Sequence, residues 1–245
     1  MTRVSVVVPA HNEEALLPLC LGALLAQDFV GELEILVVNN ASTDRTAAVA
    51  RGFGVTVVDE HEKGYGRALI RGFAQARGEI IACTDADSIV PPDWISQLVS
   101  EYARRPEVVA IGGHVEFTSR NWKCRLLTRF FIPAFNRFDR RNPDGPHLWG
   151  ANLSVRREAF LRVGGWNPAF SLQADSELSV RLRKAGRVVL LESLTVRTSS
   201  RRWNQSLLLN AFIYATNWFW FKLFSTPLYR DFPVVRDPRA QAGQP

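Results

Sequence analysis

The chain reads as an α/β domain: a mostly parallel sheet flanked by helices, followed by an amphipathic helical segment. Two observations predict the sheet. Short β-branched runs alternate with stretches of helical period through the first half, the pattern of βαβ units. Those runs are continuous, as in strands covered on both faces. A third observation predicts the closing segment: Leu207 to Phe224 is the most hydrophobic stretch, yet Asn210, Thr216, Asn217 and Lys222 interrupt it.

Val4 to Val8 is the first strand, and Pro9 is expected to end it. Asn12 is placed to cap a helix carrying Glu13 and Glu14 in its first turn, where the helix dipole favours acid. Glu34 to Val38 is a second strand, and Ser42-Thr43-Asp44 opens a helix through Ala50. Val55 to Val58, Ala68 to Ala76 and Ile80 to Cys83 supply strand, helix and strand. After Pro91-Pro92, Asp93 to Ala103 is helical and Val108 to Phe117 extended. From about Ser119 the character changes: Arg120 to Phe131 interleaves bases with large apolar residues, and Arg137, Arg140 and Arg141 follow. That pattern suits an anionic membrane surface, and equally a helix packed on the domain with its Arg residues in water. Leu178, Leu182 and Ala185 share one helical face. For Leu207 to Phe224, Trp218 and Trp220 favour an interfacial helix, ahead of a packing helix and a true span. The tail from Asp231 reads as loose.

At 245 residues the chain holds one large domain or two small ones, and its 47% apolar content suffices for a core. Cys20, Cys83 and Cys124 show neither metal spacing nor an even set, which points to a reducing compartment without disulfides. Met1-Thr2-Arg3 runs straight into a strand, so no signal peptide is expected. The net charge of +6 suits nucleotide phosphates or an acidic membrane surface. No nucleic-acid motif accompanies it, so nucleic acid is not an expected partner.

The candidate chemistry gathers at strand ends. Asp85-Ala86-Asp87 delivers two carboxylates to the edge where open α/β sheets bind ligands. Such a pair suits a hard divalent cation that bridges to phosphates, or else a solvated acidic loop. Pro9, His11 and Glu13 follow the first strand, and Asn39 to Asp44 the second, on the same edge. Lys63-Gly64-Tyr65-Gly66-Arg67 fails as a dinucleotide fingerprint, because Leu69 stands where the third Gly belongs. Lys63 and Arg67 suit a diphosphate, and the segment equally suits a plain helix start. Asp175 falls at a helix start, where a carboxylate is a cap or, given a hydroxyl within reach, a general base.

In order and spacing these pieces resemble the family-2 glycosyltransferases of GT-A fold. The resemblance runs from about Val4 to Trp203. It rests on Val-Val-Pro-Ala-His-Asn-Glu-Glu at 7 to 14, Asn-Asn-Ala-Ser-Thr-Asp at 39 to 44 and Asp-Ala-Asp at 85 to 87. It continues with Gly-Ala-Asn-Leu-Ser-Val-Arg-Arg at 150 to 157, Gly-Gly-Trp at 164 to 166 and Ala-Asp-Ser-Glu-Leu at 174 to 178. It implies a Rossmann-like GT-A domain over 1–203, with a nucleotide-sugar half at 1–118 and an acceptor and base half at 119–203. An amphipathic membrane-associating or packing helix at 204–230 and a loose tail at 231–245 complete the expected organisation.

By the same resemblance, Pro9, His11 and Glu13 border the nucleotide, Asn39 meets the base and Asp44 supports that loop. Asp85 and Ala86 lie along the sugar nucleotide, and Asp87 with Asp85 holds Mn²⁺ or Mg²⁺. Gly150 and Asn152 shape the donor-sugar and acceptor pocket, Arg202 and Trp203 lie near the diphosphate, and Asp175 is the base. The implied reaction is a single inverting displacement from a nucleoside-diphosphate sugar to a hydroxyl of a lipid-linked or envelope glycan, peripherally at the cytoplasmic face of a membrane. The alternatives are a polyprenyl-phosphate sugar transferase and a silent scaffold that binds nucleotide sugars. Two departures matter. Asn39-Asn40 replaces a frequent Asp-Asp, which leaves UDP, GDP and dTDP donors open. Ala174 replaces a frequent Glu before the base.

Overall fold

A computed structural model describes residues 2–118, 130, 137, 147–201 and 207–229. The described elements are β1 (Arg3–Ala10), α1 (Leu17–Leu25), β2 (Glu32–Asn40), α2 (Thr46–Gly52), β3 (Thr56–Glu60), α3 (Tyr65–Gln75), β4 (Ile80–Cys83), β5 (Ser88–Ile89) and α4 (Trp94–Arg104). They continue with β6 (Val108–Thr118), β7 (Leu153–Arg156), α5 (Arg157–Arg162), α6 (Ala174–Leu182), β8 (Arg187–Ser199) and α7 (Leu207–Phe224). The basic stretch at 120–131 lies outside the described residues, apart from Phe130.

One eight-stranded sheet runs in the order β3-β2-β1-β4-β7-β6-β8-β5. Its first four strands are parallel, with β1 between β2 and β4. β7 then inserts antiparallel between β4 and β6. β8 runs parallel to β6, with register shifts between Val108 and Ala110 and between Gly113 and His114. β5 closes the far edge antiparallel to β8. The sheet is therefore mixed, and the sequence reading had not anticipated β5, β7 or β8.

Strand alternation divides the core in two. Val4, Val6, Val8, Ile35, Val37, Ile80 and Ala82 face the layer of α1 and α4, around Leu21, Trp94 and Leu98. Val7, Leu36, Val38, Ile81 and Cys83 face the opposite layer of α3, α5 and α6, around Phe73, Phe160 and Leu178. Because both faces are filled, a one-residue slip would exchange the two layers, so the register is firmly set.

Two local expectations are corrected. Pro9 does not end β1, which continues to Ala10. The Val7 carbonyl accepts from Thr84 N–H on the β4 side. Pro9, two residues on, faces that same side beyond the last residue of β4, so its missing N–H interrupts no ladder. Asn12 does not cap α1, which begins at Leu17 without a side-chain cap. Asn12 instead adopts φ 56°, a left-handed conformation that Asn tolerates. Among the described residues, no helix is long and apolar enough to cross a membrane.

Candidate active site

The parallel strands β1, β2 and β4 deliver three loops side by side. His11 Nδ1 lies 2.7 Å from the Asn40 carbonyl oxygen. A carbonyl only accepts, so the proton sits on Nδ1. Asn12 Oδ1 accepts from Thr43 N–H at 2.8 Å, and Glu13 N–H donates to the Thr46 hydroxyl at 2.7 Å. Asp44 accepts from Glu14 N–H at 3.1 Å and from Thr46 N–H at 2.9 Å, and also from the Thr46 hydroxyl. Burial pushes the Asp44 carboxyl upward, but the bonds from Thr46 and Glu14 outweigh it and hold the group below the ordinary carboxylate range. Asp44 thus clasps the first two loops together. Asn39 donates to Asp59 Oδ1 at 2.8 Å, while its buried Oδ1 has no partner among the described residues. That leaves an acceptor at the strand end.

The loop before α3 lies against β2, since Gly64 N–H donates to Asn40 Oδ1 at 2.8 Å. Lys63 is exposed, and Arg67 pairs with Glu62 at 2.8 Å. The residue between them that enters the site is Tyr65. Its hydroxyl donates to Asp85 Oδ1 at 3.1 Å. The ring is partly open to solvent, but the hydroxyl end is buried beside the Asp85 charge, and both push the phenol upward. It therefore stays a donor at neutral pH.

Asp87 and Glu13 share Arg201. One guanidinium nitrogen of Arg201 lies 2.6 Å from Glu13 Oε1 and 3.1 Å from Asp87 Oδ2. The other Asp87 oxygen accepts from the Thr198 hydroxyl at 3.2 Å. Burial raises the Glu13 carboxyl above its ordinary range; Arg201 opposes the rise and the Asp87 charge adds to it. Ala86, between the two carboxylates, is buried in the α1 layer of the core.

Asp175 reaches the same edge from the second half of the chain. Its Oδ2 accepts from Gly150 N–H at 2.8 Å and its Oδ1 from Ser176 N–H at 2.8 Å. Burial pushes this carboxyl up, against both of those bonds. A methyl group placed on Gly150 would stand 2.5 Å from the Tyr65 hydroxyl oxygen and 3.6 Å from Asp175 Oδ2. Gly150 is therefore the point where Tyr65 and Asp175 converge. Gln173, just before α6, holds φ 60° and anchors the helix start. It donates to the Tyr214 carbonyl at 3.1 Å and accepts from Asn217 at 3.0 Å.

Asn152 stands behind this site. It accepts from the Trp94 indole at 2.9 Å and donates to the carbonyls of His114 at 2.9 Å and Leu194 at 3.0 Å. At 1% exposure its amide is spent on protein groups, so it braces the loop at 149–152 instead of lining a pocket. Arg202 and Trp203 lie outside the described residues. The sequence reading had not singled out Tyr65. Its position inside the glycine-rich loop was the available signal. Arg201 immediately precedes Arg202 and Trp203, the pair that the family resemblance puts near the diphosphate.

Among the described residues, no cluster of three or more His, Cys, Asp or Glu side chains could hold a metal ion. Asp85 and Asp87 offer hard oxygen donors, which fits the way Mg²⁺ and Mn²⁺ bind through one or two carboxylates with substrate phosphates and water.

Acidic strand ends on one edge of a mixed α/β sheet, joined by a buried carboxylate from the second half of the chain, define an α/β protein of open-sheet class. Residues 5–164 match glycosyl transferase family 2, and the chain belongs to that family. A probable glycosyltransferase of Bacillus subtilis (strain 168), YdaM, is 30% identical over 203 residues, covering 76% of this chain and 48% of its own length. The undecaprenyl-phosphate 4-deoxy-4-formamido-L-arabinose transferase of Pseudomonas fluorescens (strain SBW25) is 31% identical over 135 residues, covering 51% of this chain and 40% of its own length. The chain thus spans about half the length of the curated relatives it matches. Among solved structures, the mannosyltransferase PcManGT of Pyrobaculum calidifontis, in complex with GDP-Man and Mn²⁺, superposes with a TM-score of 0.73 at 25% identity. The match covers 91% of this chain and 64% of that one. The GT-A fold follows from these likenesses.

Proposed function

We propose that the protein is an inverting, metal-dependent glycosyltransferase that moves one sugar from a nucleoside-diphosphate sugar to a hydroxyl of a lipid-linked or envelope glycan, at the cytoplasmic face of a membrane. One observation carries the reading: Asp85 and Asp175, ninety residues apart in sequence, meet across Tyr65 and Gly150. Asp87 and Asp85 would hold Mn²⁺ or Mg²⁺, which supplies positive charge for the departing diphosphate. Arg201, already beside Asp87, adds a fixed cation to the same wall. Pro9, His11, Glu13, Asn39 and Asp44 border the nucleotide, with the unpartnered Asn39 Oδ1 as an acceptor for a base N–H. Lys63 and Arg67 steer the anionic donor.

Asp175 accepts the proton of the attacking hydroxyl. Its two backbone bonds hold the carboxylate in place, and its raised affinity for a proton makes it a better base than a solvated Asp. Attack from the face opposite the leaving group inverts the anomeric centre.

The test is transfer from a panel of UDP-, GDP- and dTDP-sugars to membrane-extracted acceptors with Mn²⁺. Asp175→Asn is expected to lower kcat by about 10²- to 10⁴-fold with donor affinity kept. Full activity in that variant would remove the base. The undecaprenyl-phosphate relative motivates a second reading, in which an acceptor phosphate attacks. Phosphate needs little base help, so the Asp175→Asn rate separates the two acceptors.

A further inference from the structure

Helix α7 is amphipathic in the inverted sense. Asn210, Ile213, Asn217 and Phe221 face the protein, all under 9% exposed. Asn217 is fully used there: it donates to Gln173 Oε1 at 3.0 Å and accepts from the N–H groups of Leu228 and Tyr229, both at 2.8 Å. Phe221 packs edge-on against Phe170, with ring centroids 5.5 Å apart. These contacts fix which face turns outward. That face carries Leu209, Phe212, Phe219, Trp220, Leu223 and Phe224, between 37% and 61% exposed. An inward face that spends two Asn beside Ile213 and Phe221, with a large apolar and aromatic stripe outward, is unusual for a helix meeting water.

We infer that the outward face of α7 is a docking surface for an anionic lipid bilayer, with the helix lying in the interface plane. Three features select lipid over a second protein chain. The helix contains Lys222 and no acidic residue, and its Lys222 ammonium stands 5.5 Å from the Trp218 ring centroid, at the level where headgroups lie. The chain as a whole carries +6, and the stretch 120–141 holds seven Lys and Arg against one Asp, which complements anionic headgroups. Finally, the 18-residue helix is about 27 Å long and about 10 Å wide. That footprint is far below the roughly 800 Å² per partner of a stable dimer.

The seat has a consequence for catalysis. The inner face of α7 holds Gln173, two residues before Asp175, so a docked helix sets the height of the base above the bilayer. The inference deepens the proposed function by naming the surface that meets the acceptor's membrane. Its test needs no turnover, so either can fail alone.

The experiment is flotation of the full chain with phosphatidylcholine vesicles, with and without 30 mol% phosphatidylglycerol. The wild type is expected to float with the anionic vesicles. The variant Phe212→Ser/Phe219→Ser/Leu223→Ser is expected to stay in the soluble fraction while still melting in one cooperative transition, since these side chains are about 60% exposed. Lys222→Glu, which leaves the apolar face intact, is expected to lower binding to anionic vesicles about five- to thirty-fold without changing binding to neutral ones. Wild-type protein that stays soluble with both vesicles overturns the inference. So does flotation of the triple variant equal to wild type, or a wild-type dimer in sedimentation that the triple variant dissociates.

Discussion

Donor binding offers the sharpest test of the cleft, because it can be read without knowing the acceptor. A nucleoside diphosphate bound with Mn²⁺ at a hundred times its dissociation constant stabilises the native state by about 2.7 kcal/mol. For a chain of 245 residues, each kcal/mol moves the melting temperature by about 2–4 °C, so the expected rise is about 5–11 °C. Asp87→Ala removes one carboxylate ligand. It also removes the contact with Arg201, which is half-exposed and keeps Glu13 as a partner. That pair contributes no more than about 1 kcal/mol, so the variant should melt only about 2–4 °C lower. The assay is differential scanning fluorimetry with UDP, GDP and dTDP, each with Mn²⁺ or with EDTA. One diphosphate should give the rise in wild type with Mn²⁺ and lose it with EDTA. In Asp87→Ala it should give none under either condition. An equal rise in the variant would take Asp87 out of the metal site.

Four further outcomes are expected. Asp175 is held above the ordinary Asp range by burial, and a base works only when deprotonated. kcat should therefore rise with pH through a midpoint above the usual ~3.9, and a profile flat down to pH 4 would deny the role; Glu13→Gln separates this limb from the other raised carboxyl. Tyr65→Phe removes a 3.1 Å bond to a carboxylate, so donor affinity should fall about five-fold, or about 1 kcal/mol. Gly150→Ala should cost more, yet less in the Tyr65→Phe background, because the hydroxyl its methyl would strike is gone; strictly additive losses in kcat/KM would refute the geometry. Gln173→Gly should melt about 2–4 °C above Gln173→Ala, since both lose the clasp to α7 but only Ala keeps the left-handed strain of about 1 kcal/mol; equal melting would deny the strain.

The parallel half of the sheet was legible because its information is local. β1, β2 and β4 are apolar runs whose alternate residues fill two core layers, and helical period marks what lies between. The rest was not legible, for reasons that are non-local. β7 is only four residues long and gains its place from antiparallel neighbours that lie far off in sequence on both sides. Asn152 and Asp87 look alike as polar residues near a strand end, but Trp94 claims the first and Arg201 the second. Only the fold decides which faces a ligand. The same holds for α7, where the two Asn that suggested an amphipathic helix did not tell which side faces the protein.

The charges around Asp87 favour the proposed divalent cation. Glu13, Asp85 and Asp87 bring three carboxylates to one wall, and Arg201 answers with a single positive charge. A diphosphate bound as proposed would add at least two more negative charges to a wall already in deficit, and unit charges about 4 Å apart at an effective dielectric of about 20 interact by about 4 kcal/mol. Burial alone already drives Glu13 toward holding its proton. With the nucleotide present, either the carboxylates protonate or positive charge must arrive. A divalent ion held by Asp85 and Asp87, as proposed, would meet that demand. Arg201, paired here with Glu13 and Asp87, would remain beside it as a further cation.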